Sequence, residues 1–292
     1  MRNSSQRKDQ DVTVAKLWTC PTCNNTLSTP YCPDCGESPP SARDLTLRGL
    51  SHQLFEAFSN IDGRLIRSFR CLVTRPGVLT VAYVQGRRMT YLGPIQLFFV
   101  ANVLFFAMQS LTNTNIVSST IDSHLHDQDW HAVAQDLVSH RLARLETTLD
   151  LYAPVFDRAI VLHAKSFIIL MVLPFAILLP ILFYRNRQPF VAHAVFSLHF
   201  YAFLLLLFCF SLMVVAVDVL LGGAGLNSTR MDNALSVINL AACATYLYVA
   251  TGTAYGASGA IRVINALALA LAVAGILLGY RFVLFLITLY TT

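Results

Sequence analysis

Residues 201–217 read YAFLLLLFCFSLMVVAV, seventeen positions without one charged side chain. Extended to about Ala192–Leu221, the run is longer than the ~20 residues that cross ~30 Å of hydrocarbon at ~1.5 Å per residue. Four other stretches resemble it: about Gly93–Leu111, Ser166–Tyr184, Ala234–Tyr255 and Val263–Tyr290. The second contains Pro174 and Pro180, and the fourth is diluted by Asn239, Thr245 and many alanines. The composition agrees, with 55% hydrophobic and 13% charged residues; a soluble chain carries about 25% charged residues to cover its surface. The expected fold is an all-α integral membrane bundle of about five transmembrane helices. The count of five rather than four depends on the alanine-rich fourth stretch.

Charge is unevenly placed. The first 92 residues hold 12 Lys+Arg and 7 Asp+Glu, whereas the remaining 200 hold nine of each. With five spans, Arg75, Arg87, Arg88, Arg185, Arg187 and Arg262 fall on one side. Short cytoplasmic loops concentrate Lys and Arg, so the N-terminus is expected inside and the C-terminus outside. Residues 112–164 then form an external segment with seven acids against three arginines. In it Trp130, Val133, Leu137, Leu142, Leu145 and Leu149 recur at roughly helical spacing, as in an amphipathic helix packed on the bundle. Residues 1–16 are polar and read as a disordered tail rather than a cleavable signal peptide.

Cys20-Pro-Thr-Cys23 and Cys32-Pro-Asp-Cys35-Gly36 form C-x2-C-x8-C-x2-C. Two residues between cysteines let both sulfurs of a knuckle reach one ion, and two knuckles complete a tetrahedron. The expectation is a ribbon over 17–37 with one structural Zn²⁺ held by Cys20, Cys23, Cys32 and Cys35. Four thiolates leave no open position for a catalytic water. Paired disulfides are disfavoured in a reducing cytoplasm. The other cysteines, Cys71, Cys209 and Cys243, read as small packing residues.

A linker over 38–43 precedes a basic amphipathic region over 44–92. Leu47, Leu50, Leu54, Phe58, Ile61, Leu65, Phe69 and Leu72 step by three and four. Arg48, Arg64, Arg67 and Arg70, followed by Arg75, Arg87 and Arg88, supply positive charge. Such a helix beside a first span is expected to lie at the headgroups and meet anionic lipids. Pro76 and Gly77 end it. A four-cysteine ribbon followed by LRGLSHQLFEAFSNIDGRLIRSFRCLVTRPGVLTVAYVQGRRMTYLGPIQLFF resembles the bacterial domain-of-unknown-function 3667 family. The matching features are Asp62, Arg75-Pro76-Gly77, Tyr83, Gly86-Arg87-Arg88, Tyr91 and Pro94. Glu37 departs from the Gln often found there. The resemblance implies a bacterial inner-membrane protein and no established activity.

Polar groups within spans are functional candidates because burial in lipid is costly. They are Asn102, His193, His199, Asp218, Asn239 and Arg281. His193 and His199 are separated by about 120° around their helix, which separates their ligands; each reads as either a packing residue or part of a proton or substrate site. Asp218 and Arg281 fall at similar outer depth and are a candidate pair, structural or proton-coupling, with Arg281 alternatively snorkelling to the interface. Gly252-x-x-x-Gly256 and Gly275-x-x-x-Gly279 permit close packing within the chain or a homo-oligomer.

No phosphate loop, nucleophile elbow or H-E-x-x-H motif occurs, and no catalytic residue is assigned. The leading expectation is a non-enzymatic membrane protein whose ribbon and basic helix engage a protein partner or lipid. The rival is a small oligomeric transporter or channel using the polar residues of its spans. Nucleic acid is disfavoured as a partner, since Trp18 and Tyr31 have little positive charge near them.

Overall fold

The computed structural model describes residues 17–37, 39, 63–112, 114 and 118–292. Two short strands, β1 (Trp18–Thr19) and β2 (Thr26–Leu27), pair antiparallel with Trp18 opposite Leu27. Helices α1 (Arg64–Thr74), α2 (Val78–Val84) and α3 (Pro94–Thr112) follow. Two short helices, α4 (Ile121–His126) and α5 (His131–Leu145), lead to α6 (Leu149–Phe167) and α7 (Val172–Leu182). The chain ends in α8 (Phe190–Leu220), α9 (Thr229–Tyr255) and α10 (Gly259–Thr291). The first part of the basic region, with Arg48, lies outside the described residues.

Five helical stretches are long and apolar enough to span a membrane: Pro94–Thr112, Leu149–Leu182, Phe190–Leu220, Thr229–Tyr255 and Gly259–Thr291. The alanine-rich fourth stretch is thus long and apolar enough to serve as a span of its own. The helix that carries the second begins at Leu149, ahead of the expected span start near Ser166. Its 34 residues reach about 51 Å as a helix, so part of it projects beyond the hydrocarbon. Asp150, Asp157 and Arg158 occupy its first turns. The helix tightens to a 3₁₀ turn at Ile168–Met171, just before Pro174, whose missing N–H cannot serve the carbonyl of Leu170.

Helix α8 is the hub, packing against α3, α7 and α9, while α10 joins α9 to α6. Phe105 of α3 meets Phe208 of α8, Phe175 of α7 stacks on Phe200, and Phe203 stacks on Tyr246 of α9. The small helix α2 wedges between α8 and α9, burying Leu79, Thr80, Ala82 and Tyr83. The wedge depends on Gly77, whose φ of 86° is left-handed. A Cβ there would stand 2.7 Å from the Ala250 carbonyl oxygen. Gly77 thus supplies a turn and a close backbone contact together.

The face away from the ribbon is capped by α4 and α5. The Asp157 carboxylate accepts from the Ile121 N–H at 2.8 Å, and Trp130 packs on Phe282 of α10. The apolar stripe of α5 differs from the one expected. Ala134 and Val138 are buried, Trp130, Leu137 and Leu142 are partly buried, and Val133, Leu145 and Leu149 are exposed. The helix starts only at His131, and its contact face is set by α4 rather than by its largest side chains. Fully buried His124 lies 4.8 Å from Phe285, ring centre to ring centre, and its Nδ1 accepts from the Trp130 indole N–H. An indole only donates, so the imidazole must be neutral at that nitrogen. Burial, with the Arg281 charge as a second cause, pushes His124 down to about 4.

Two outcomes are expected. Gly77→Ala should destabilise the detergent-solubilised protein by about 2 kcal/mol or more. Gly279→Ala, where a Cβ meets nothing within 4 Å, should be neutral or slightly stabilising; equal shifts in thermal midpoint would rule out the α2–α9 clash. The depressed His124 value means that the open cap binds a proton more readily than the closed cap. Its stabilisation is complete above about pH 6.5 and is lost as pH falls towards 4. Trp130 fluorescence should shift over that window in wild type and not in His124→Gln, and a flat wild-type titration would exclude the linkage.

Candidate metal centre

The four cysteine sulfurs converge at the tip of the ribbon. The four ligand atoms all lie within 4.8 Å of one another. The Sγ atoms of Cys20 and Cys35, and of Cys23 and Cys32, are 3.4 Å apart. A tetrahedron with ~2.3 Å metal–sulfur bonds has edges of about 3.8 Å, so the donor set fits one such ion. Cys20 and Cys32 are buried, while Cys23 and Cys35 are half-buried.

The two knuckles share one backbone pattern. In the first, Asn24 N–H donates to the Cys20 carbonyl at 2.9 Å and Cys20 N–H to the Asn25 carbonyl at 2.9 Å. In the second, Gly36 N–H donates to the Cys32 carbonyl at 2.8 Å and Cys32 N–H to the Glu37 carbonyl at 2.7 Å. Each ends in a left-handed residue, Asn24 at φ 62° and Gly36 at φ 74°. Gly and Asn are the residues that adopt this conformation most readily. Cys23-Asn24 and Cys35-Gly36 thus carry the same local signal, a left-handed residue after the second cysteine of each knuckle. Asn25 also donates to Asp34 across the knuckles, and the Trp18 indole N–H to the Thr29 carbonyl at 2.7 Å.

The thiols do not share one proton affinity. Burial raises Cys20, but the Cys23 and Thr22 amides and the neighbouring thiols outweigh it and bring Cys20 down to about 7. The Glu37 amide lowers Cys35, yet burial and hydrogen bonds to Cys20 and Cys32 push it up to about 12. Four adjacent thiolates repel one another unless a cation neutralises them, and a bound cation would displace their protons.

Glu37, which departs from the Gln often found in the resembling family, does not ligate but packs beside the knuckles. The residue is only 3% exposed. It accepts from Thr22 Oγ1 at 2.9 Å and from the Arg88 and Met89 amides at 3.2 Å each. The ribbon therefore rests on the Gly86–Met89 turn.

The remaining candidates disperse. Arg67, Arg70, Arg75 and Arg87 are exposed, Arg64 and Arg88 half-buried, and the Arg88 guanidinium lies 5.3 Å from the Tyr83 ring centre. His199 bonds Thr80 of α2 at 2.9 Å, and His193 bonds the Tyr255 hydroxyl at 2.9 Å. Asn239 accepts from Ser211 at 3.0 Å, whereas Oδ1 of Asn102 is buried with no partner among the described residues. Asp218 and Arg281 do not form the expected pair. Asp218 turns back to accept the Gly225 N–H at 2.9 Å, because the loop closing α8 folds over its carboxylate. Arg281 instead lies in the field of Asp232, and its own charge acts on His124. The glycine pairs also have separate roles. Gly252 receives the Arg262 guanidinium, Gly256 ends α9 in a left-handed cap, and Gly275 and Gly279 face open space. A cleft of about 220 Å³ opens between α2, α8 and α9, with Thr80, Gln85, Gln188 and Thr253 in an uncharged lining.

A family model described as a protein of unknown function (DUF3667) matches residues 62–106. The match bears out the resemblance carried by that stretch, which contains α1, α2 and the turn beneath the ribbon. No curated protein and no solved structure matches the chain.

Proton competition gives the centre a testable pH dependence. With one thiol near 7 and another near 12, metal loading must release protons. Apparent affinity should fall steadily as pH is lowered from 8 to 6, read by competition with a chromophoric chelator. An affinity independent of pH would exclude thiolate ligation.

Proposed function

We propose that this is a non-enzymatic protein of a bacterial inner membrane whose ribbon and basic membrane-proximal helix form a cytoplasmic interaction module. Zinc is the metal that best suits the ribbon, because four thiolates form a soft, closed tetrahedral set. The observation that carries the reading is the exposed face of α1. Arg67 and Arg70 stand there beside Ile66 and Val73, 73% and 51% exposed, with Arg75 at the helix end. Basic and apolar side chains together suit an anionic headgroup layer, in which the aliphatic groups enter the acyl boundary and the guanidinium groups reach phosphate. On the ribbon, Tyr31 and Leu17 are exposed, offering contact area to a protein partner.

Orientation rests on the loops. Asn186 donates to the Tyr255 carbonyl, which ties the loop of Arg185 and Arg187 to the end of α9 near Arg262. This basic side is the ribbon's side by alternation of spans, and basic loops stay in the cytoplasm. The histidines favour packing over transport, since each is buried and bonded to a partner on another helix.

Purified wild type should contain one zinc per chain, and Cys20→Ser/Cys35→Ser none, by elemental analysis. Native mass spectrometry should show anionic phospholipid retained by wild type, with affinity reduced about thirtyfold in Arg67→Gln/Arg70→Gln, at about 1 kcal/mol per arginine. Equal retention would remove the lipid half of the reading.

A further inference from the structure

Glu37 belongs to two structures at once. Its carbonyl oxygen closes the second knuckle by accepting the Cys32 N–H, and its side chain accepts Thr22 Oγ1 from the first knuckle. Both carboxylate oxygens also leave the ribbon, Oε1 for the Arg88 N–H and Oε2 for the Met89 N–H. Two successive amides directed at one anion form a small backbone nest. Gly86 at φ 86° turns the chain into it. Gly36 adds contact beside the carboxylate, since a Cβ built there would lie 3.4 Å from Met89 Cε.

A carboxylate removed from water must keep its hydrogen bonds or return to solvent. Three of the bonds described here hold the Glu37 side chain, and one of them comes from a knuckle that a metal organises. The ribbon has little apolar core of its own, so its backbone pattern depends on the ion. We infer that Glu37 is a positioning residue that latches the metal-loaded ribbon onto the Gly86–Met89 turn, so that metal occupancy sets the conformation of this membrane-proximal turn. This inference rests on the ribbon being a metal site. Loss of the ion opens the Cys32–Glu37 ring, withdraws the carboxylate, frees the Met89 amide and leaves the Arg88 amide only its 3.0 Å bond to the Gly86 carbonyl. The turn directly follows α2, so the latch also reaches Val84 and Gln85 on the wall of the uncharged cleft.

The test is hydrogen exchange, read by mass spectrometry on a peptide spanning the turn, in the full-length protein in detergent. Zinc content is measured on the same samples. In zinc-loaded wild type the turn should be protected, and a chelator should raise its exchange about tenfold or more. Glu37→Ala should show the fast exchange while still holding zinc. Glu37→Gln, which keeps the shape and one strong acceptor oxygen, should fall between them. Peptides from α8 should stay unchanged throughout and report an intact bundle. Zinc-loaded wild type whose turn is unaffected by chelation, or Glu37→Ala that retains zinc and full protection, would overturn the latch alone. Wild type without bound metal would overturn the metal reading of the ribbon itself. If Glu37→Ala loses zinc, the Gln variant and the chelated wild type still decide the outcome.

Discussion

Hydrocarbon offers no hydrogen-bond partner, so a polar group carried into it is costly unless it finds one within the chain. Helical geometry meets this need for the backbone. For side chains, the solutions are specific. His199 reaches Thr80, His193 reaches Tyr255, Asn239 takes the Ser211 hydroxyl, and Tyr280 donates to the Ala164 carbonyl at 2.9 Å. These bonds join α2 to α8, α8 to α9 and α6 to α10. Polar residues that read as functional candidates thus register the helices, where apolar packing alone leaves sliding cheap.

The stretch with the family resemblance is where soluble and membrane parts meet. Helix α1 buries Ser68, Cys71 and Leu72, and Ser68 Oγ accepts the Leu92 N–H at 2.8 Å, drawing the start of α3 back against it. Gly77 then lets α2 press on the α9 backbone, and the next turn receives the ribbon through Glu37. One run of sequence thereby orients the metal centre, the basic helix and the first span together.

The ribbon's place in the structure changes what a tethered metal module can do. A ribbon on a free linker presents its surface in any direction. This one is seated by a buried carboxylate, so its exposed Tyr31 and the arginines of α1 have a fixed relation. The ribbon and the turn are linked by hydrogen bonds of ordinary length from the Arg88 and Met89 amides to the Glu37 carboxylate.

The sequence by itself determined the class of the protein. Span length and lack of charge follow from the thickness of hydrocarbon, and the four-cysteine spacing follows from the reach of two sulfurs to one ion; both are local rules legible in one dimension. Local chemistry also marked the turns, at Gly36 and at Arg75-Pro76-Gly77. Tertiary structure alone decided which polar groups meet. Helix rise along the sequence suggests a similar depth for Asp218 and Arg281, but depth says nothing of azimuth, and the α8 end loop claims the aspartate first. Helix α5 buries small Ala134 and exposes Val133 because its neighbours, rather than its hydrophobicity, choose its face. Glu37 lies outside any ligand spacing, and its role depends on a turn 51 residues away. Contacts across such separations arise from folding the chain in three dimensions, and no periodicity or motif along it encodes them.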